Sequence, residues 1–246
     1  MVPVLLALTT VVSTAAGGAV ALRHRDQLHL ILGFTAGVLL GLVAFDLMPK
    51  VFELGGGAKV LNLPAVALPF VVGFLLLHLV ERWMGVHAAH EQEYGEHQHH
   101  HGQPGLGFAT AGALTAHSFL DGVGIGLAFQ VNDTLGWAVA IAVIAHDFAD
   151  GLNTVSLMLR HGNSERRARL MLALDAAAPL LGAGSTLLFS LPDRALALYL
   201  AFFAGFLLYL ATGDILPEAH ARHPTRLTML ATIGGVVFIG TVVALS

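Results

Sequence analysis

The 246-residue chain has no cysteine and very little charge. Without cysteine there is no disulfide, no thiolate metal ligand and no cysteine nucleophile. Asp, Glu, Lys and Arg together make up 11% of the residues, against roughly 25% in an ordinary soluble domain. A soluble protein of this length could not cover its surface with so few charges. The formal net charge of -4 leaves no basic footprint, so no nucleic acid partner is expected. What fills the chain instead is apolar: 56% of the residues are hydrophobic and the mean hydropathy is +0.75. Against that background, fourteen histidines stand out.

A membrane helix needs roughly 20 apolar residues. Such stretches run approximately 3–22, 28–48, 61–81, 106–129, 136–158, 169–191, 195–217 and 226–246. The expected fold class is an all-α integral membrane protein with eight transmembrane helices, forming a single transmembrane domain over residues 1–246. Ser13-Thr14-Ala15-Ala16 resembles a small-residue cleavage site, but no basic run precedes it and Arg23-His24-Arg25 follows. Span 1 is therefore expected to stay uncleaved. With the N-terminus outside, the inner loops hold Arg23, Arg25, Arg82, Arg160, Arg166, Arg167, Arg169, Arg222 and Arg226, and the outer loops only Lys50, Lys59 and Arg194. That bias places both termini outside the cytoplasm of a cell membrane.

Segments of the chain repeat. Ala36-Gly37-Val38-Leu39-Leu40 through Asp46-Leu47-Met48-Pro49 in span 2 aligns with Ala204-Gly205-Phe206-Leu207-Leu208 through Asp214-Ile215-Leu216-Pro217 in span 7. Ala116-His117-Ser118-Phe119-Leu120-Asp121-Gly122 in span 4 aligns with Ala145-His146-Asp147-Phe148-Ala149-Asp150-Gly151 in span 5. In the topology above each pair runs in opposite directions. The expectation is thus of inverted repeats, spans 1–3 with 6–8 and span 4 with 5, an arrangement typical of transporters with a site near the midplane.

Six aspartates fall inside the spans: Asp46, Asp121, Asp147, Asp150, Asp175 and Asp214. A charged Asp at a helix centre costs about 2.5–3.5 kcal/mol even on the lenient insertion scale. They need each other, water or a cation. His117 and Asp121 are four residues apart and share a helix face; His146, Asp150 and Asn153 share one on the next span, with Asp147 a step round. Imidazole and carboxylate together suit zinc and its first-row neighbours. The bland alternative is a set of hydrogen bonds holding spans 4 and 5 together. Asp46 and Asp214, just before Pro49 and Pro217, could serve as entrance and exit relays; Asp175 could be a further ligand or the partner of a buried hydroxyl. Between spans 3 and 4, at about 84–105, lies a polar loop with His87, His90, His97, His99, His100 and His101. It is expected on the cytoplasmic side as a weak metal-binding segment.

These residues resemble the ZIP (Zrt/Irt-like) family of divalent metal transporters. The likeness covers most of the chain: eight helices, both ends outside, a His-rich loop between helices 3 and 4, and a polar motif on each of helices 4 and 5. The most specific matches are His117-Ser118-Phe119-Leu120-Asp121-Gly122 and His146-Asp147-Phe148-Ala149-Asp150-Gly151, where the family typically has His-Asn-x-Pro-Glu-Gly. Asp214-Ile215-Leu216-Pro217-Glu218 also looks like the family's Asp-Leu-Leu-Pro-Glu. The resemblance implies metal-site roles for His117, Ser118, Asp121, His146, Asp147 and Asp150, and up to two metals bridged by the motif carboxylates. The chain departs at Leu120 and Ala149, which replace the motif prolines, at Ser118, which replaces an amide, and at Ala178 before Pro179, where the family often has Glu. Asp175 could substitute there, and a single metal site is the alternative.

The function expected is membrane transport of divalent transition metal ions, zinc above all, inward by the resemblance. Zn²⁺ is then cargo, and the chain is not an enzyme. The expected partners are divalent metal ions, the lipid bilayer and a second copy of the chain in a homodimer. The rival reading is an intramembrane zinc-dependent hydrolase. Neither His-Glu-x-x-His nor Gly-x-Ser-x-Gly occurs, and inverted repeats would have no role in a hydrolase.

Overall fold

A computed structural model of the protein describes residues 2–23, 29–55, 57–84, 104–221 and 226–245, most of them helical. The histidine loop expected at about 84–105 lies almost wholly outside them. α1 (Val2–Arg23) is followed by α2, which runs His29–Leu42, passes a π-helical turn at Val43–Leu47 and ends as Met48–Leu54. Next come α3 (Ala67–Met84), α4 (Pro104–Val131), α5 (Asp133–Arg160) and α6 (Glu165–Ser185). α7 runs Asp193–Tyr209, has its own π-helical turn at Leu210–Ile215 and ends as Leu216–Ala221; α8 is Arg226–Leu245.

The two π-helical turns share a cause. Pro49 and Pro217 lack the amide hydrogen of an α-helix and crowd the turn before them. The chain widens by one residue there. Met48 N–H bonds back to Val43 O, and Leu216 N–H to Ala211 O. Helix starts have local causes too. Asn132 is the single residue between α4 and α5, and its side-chain oxygen accepts from Leu135 N at 2.8 Å. Ser164 caps α6 the same way, accepting from Arg167 N.

Among the described residues, six helical stretches are long and apolar enough to cross a bilayer: Val2–Leu22, Leu30–Leu54, Asp133–Leu159, Glu165–Leu188, Asp193–Ile215 and Arg226–Leu245. Ala67–Val80 is a shorter apolar helix. α4 has the length, 28 residues, but its glycines and polar motif dilute its hydropathy. The third helix starts at Ala67, later than the apolar run beginning near 61 suggests. The run's first residues form a hairpin instead, β1 (Lys59–Val60) with β2 (Leu63–Pro64). Leu61 and Asn62 sit at φ 50° and 64°, the left-handed pair that a two-residue hairpin turn requires.

The apolar distribution is that of a membrane protein. Val12, Leu79, Leu181 and Leu230 are 69, 61, 65 and 61% exposed, while His117, Asp121, His146, Asp147 and Asp150 of α4 and α5 are buried. Lipid covers such an outer surface without cost.

α1 lies along α5 and α4 along α6; α2 lies along α8 and α3 along α7. Glycine permits these approaches, as small residues do in membrane helices. A methyl group on Gly17 would lie 1.8 Å from Phe148 O, and one on Gly182 would lie 2.1 Å from Phe119 O. In the other group, Gly37 would meet Thr232 O at 2.0 Å and Gly205 would meet Phe70 O at 1.9 Å. Gly235 against Phe34 O and Gly73 against Phe202 O would each close to 2.0 Å. Each contact thus has a counterpart. α1, α4, α5 and α6 make one group of helices, which meets the other where α2 touches α5 and α7 touches α4.

Candidate metal centre

On α4 and α5, His117 and His146 each stand one turn before Asp121 and Asp150. Each pair shares a face, and the one-residue link at Asn132 folds α5 back along α4 so that the faces meet. Relative exposures are 5% for His117, 0% for Asp121 and His146, and 2% for Asp150. One donor atom from each of the four lies within 4.8 Å of all the others. His117 Nε2 is 3.1 Å from Asp121 Oδ2 and 3.4 Å from Asp150 Oδ2. His146 Nε2 is 3.3 and 3.7 Å from the same two oxygens. A tetrahedral zinc site with bonds of about 2.0–2.1 Å has edges of about 3.3 Å, close to these four separations.

The electrostatics point the same way. His146 Nδ1–H donates to Ala142 O at 3.0 Å. In the neutral ring that leaves the lone pair on Nε2, facing Asp121 Oδ2. A lone pair opposed to a carboxylate is repulsive unless a proton or a metal cation lies between; with a proton there, Nε2–H donates to Asp121 Oδ2 at 3.3 Å. Among the described residues, His117 Nδ1, His117 Nε2, Asp121 Oδ1, Asp147 Oδ1 and Asp150 Oδ2 are buried and have no hydrogen-bond partner. His117 Nε2 is near two carboxylates but not aligned for an N–H···O bond. Buried polar atoms are rarely left this way, and here five of them belong to the motif residues of α4 and α5. Two neutral imidazoles and two carboxylates together balance one divalent cation.

The other expected site residues take different places. Asp147 Oδ1 is 3.8 Å from His146 Nε2, and its Oδ2 is 3.5 Å from the Thr14 hydroxyl on α1. Ser118 and Asp175 face each other: Ser118 Oγ donates to Asp175 Oδ1 at 2.8 Å. The Thr154 hydroxyl donates to Asp175 Oδ2 at 3.0 Å. Asp175 on α6 is thus clasped by one hydroxyl from each motif helix. Asn153 is half-buried. Asp46 and Asp214 sit in the two π-helical turns, half-buried and outside the four-donor group. The six loop histidines, His87 to His101, lie outside the described residues. α4 and α5 pass Leu120 and Ala149 as unbroken α-helix, so the missing motif prolines leave no bend of the π-helical kind.

Four contributors carry no mark in the motifs. Thr154 is one turn beyond Asp150, and that spacing could have revealed it; Thr14 could not be found so. Phe206 on α7 stacks on the His117 ring at 4.8 Å between centroids and 24° between planes. Tyr199 on the same helix donates its hydroxyl to Leu120 O at 3.1 Å.

A search among curated proteins finds no match. The family model described as ZIP Zinc transporter matches residues 85–243, well over half of the chain and including both motif helices. The chain, which buries a two-His, two-Asp group that could hold a metal ion, thus belongs to the ZIP family of metal transporters.

Proposed function

We propose that this divalent metal transporter takes zinc, before its first-row neighbours, into the cytoplasm through His117, Asp121, His146 and Asp150. The observation that carries the reading is the meeting of these four buried donors, two nitrogen and two oxygen, with each nitrogen 3.1–3.7 Å from both oxygens. Nitrogen with carboxylate oxygen suits zinc better than magnesium or calcium, which favour oxygen alone. Ser118, Asp147, Asn153 and Asp175 border the ion, with Asp147 Oδ1 3.8 Å from His146 Nε2. A charge of +2 gains about 4.6 kcal/mol per 100 mV from an inside-negative potential, which favours the inward direction.

In this reading the chain crosses the membrane eight times with both termini outside. α1–α3 and α6–α8 are inverted copies, and α4 and α5 are a second inverted pair. Support comes from the matched packing. The close approach of Gly17 to Phe148 corresponds to that of Gly182 to Phe119, and Gly37 to Thr232 corresponds to Gly205 to Phe70. The π-helical turns holding Asp46 and Asp214 correspond too. Under that topology one of these carboxylates serves each mouth of the path, as a relay between water and the centre. The histidine loop around His97 then lies in the cytoplasm, where it captures arriving metal weakly and tunes uptake.

Uptake of radioactive zinc into sealed vesicles containing only the purified protein tests the reading. Because the natural chain has no cysteine, a single cysteine placed at Arg166 reports orientation in the same vesicles without background. Zinc should accumulate on the side where that cysteine labels. Hydrolysis of lipid or peptide without accumulation would overturn the transport reading, and accumulation on the opposite side would overturn its direction.

A further inference from the structure

The two histidines of the centre are held by different means. His146 is fixed from its own helix, by Nδ1–H donating to Ala142 O at 3.0 Å. A ligating imidazole usually has such a bond on its second nitrogen, which sets ring orientation and tautomer. His117 has none: its Nδ1 is buried and meets no hydrogen-bond acceptor among the described residues. Its ring plane is set instead by Phe206, stacked face to face at 4.8 Å and itself 5% exposed.

Phe206 belongs to the other group of helices. Its backbone is locked to α3: a methyl group on Gly73 would lie 2.0 Å from Phe202 O and 3.1 Å from Phe206 N. Against α4, by contrast, α7 makes few approaches. Two of them are the Phe206 stack and the Tyr199 hydroxyl on Leu120 O at 3.1 Å, one turn past His117. Any parting of the α3–α7 pair from α4 therefore takes Phe206 off His117 and leaves His146 as it was. The matched position does not repeat the device. The residue aligned with Phe206 in α2 is Val38, which offers no ring to His146.

We propose that Phe206 is a positioning residue for His117, and that His117 is the ligand loosened first when α7 parts from α4. Holding and releasing the cargo are then linked to helix movement through one imidazole. The inference rests on reading the centre as the metal site.

Cobalt(II) binding to the purified protein tests it, because the visible absorption of the ion reports the geometry and number of its ligands. Phe206→Leu keeps apolar bulk and loses the stacking face. It should weaken Co²⁺ binding by roughly tenfold, the lower end of what loss of an orienting partner costs, and lower the visible absorption. Phe206→Tyr should keep both. His117→Ala should weaken binding by itself, and adding Phe206→Leu to it should change the affinity by no more than about twofold. An equal tenfold loss in the His117→Ala background would show Phe206 to be merely structural and would overturn the proposal. So would Phe206→Leu with unchanged affinity and spectrum. If His117→Ala binds Co²⁺ as the natural protein does, the reading of the centre fails, whatever Phe206 does.

Discussion

Replacing both Asp121 and Asp150 by alanine should abolish zinc uptake. Their carboxylates supply all the formal negative charge of the four-donor group, and both are at most 2% exposed. Each is shared: Asp121 Oδ2 lies 3.1 Å from His117 Nε2 and 3.3 Å from His146 Nε2. Without them a divalent cation would have to shed its water for two imidazoles alone. Each single variant removes half of the negative charge that balances the cation, so it too should lose most of its uptake at low zinc. His117→Ala or His146→Ala should weaken uptake less and shift preference toward manganese, since the remaining donors are richer in oxygen. Uptake should be normalised to protein in the membrane. Normal transport by the double variant at equal abundance would place the metal path elsewhere and leave the α4–α5 motifs a structural role.

The second large effect concerns packing. Gly182→Leu should remove most folded protein from the membrane. A methyl group there would lie 2.1 Å from Phe119 O and 2.9 Å from Val123 N. The obstacle is backbone, which cannot rotate aside as a side chain could. Relief requires separating α6 from α4, and that also pulls Asp175 away from the Ser118 hydroxyl, now 2.8 Å distant. Overpacking against mobile side chains costs about 1–3 kcal/mol, and a rigid carbonyl should cost more. Gly17→Leu should behave alike, its methyl lying 1.8 Å from Phe148 O. Gly184 is the control: nothing lies within 4 Å of its added methyl, so Gly184→Ala should be tolerated. Size-exclusion profiles and melting of detergent-solubilised protein check all three. A Gly182→Leu variant that runs and melts like the natural protein would contradict the packing of α4 on α6.

Much of this was legible from periodicity and composition. Hydropathy located the helices because a membrane leaves apolar side chains on the outside, and Leu181 and Leu230 at 65 and 61% exposure show that pattern. Four-residue spacing put His117 with Asp121 and His146 with Asp150. The structure brings the two pairs to within 4.8 Å because a helix face is a local property and Asn132 folds one helix onto the other. The start of α3 was not legible: an apolar run with Asn62 and Pro64 in it reads like a helix by hydropathy and folds as a hairpin by backbone conformation. Pro49 and Pro217 were plain in the repeats, but the π-helical turns before them were not foreseen. Least legible were the contacts that depend on distant segments. Thr154 and Ser118 reach Asp175 across three helices, and Phe206 reaches His117 from a helix nearly ninety residues on. Spacing could place Thr154 on the face of Asp150, and Asp175 could be read as the partner of a buried hydroxyl, but which residues meet is decided by how the helices pack.

The most direct test is the position of the metal itself. Crystals of the protein soaked in zinc and measured on either side of the zinc absorption edge should give an anomalous peak between α4 and α5. That peak should lie about 2.0–2.2 Å from His117 Nε2, His146 Nε2 and one oxygen each of Asp121 and Asp150. A strong peak elsewhere in the membrane-spanning region, with none among these four residues, would contradict the account.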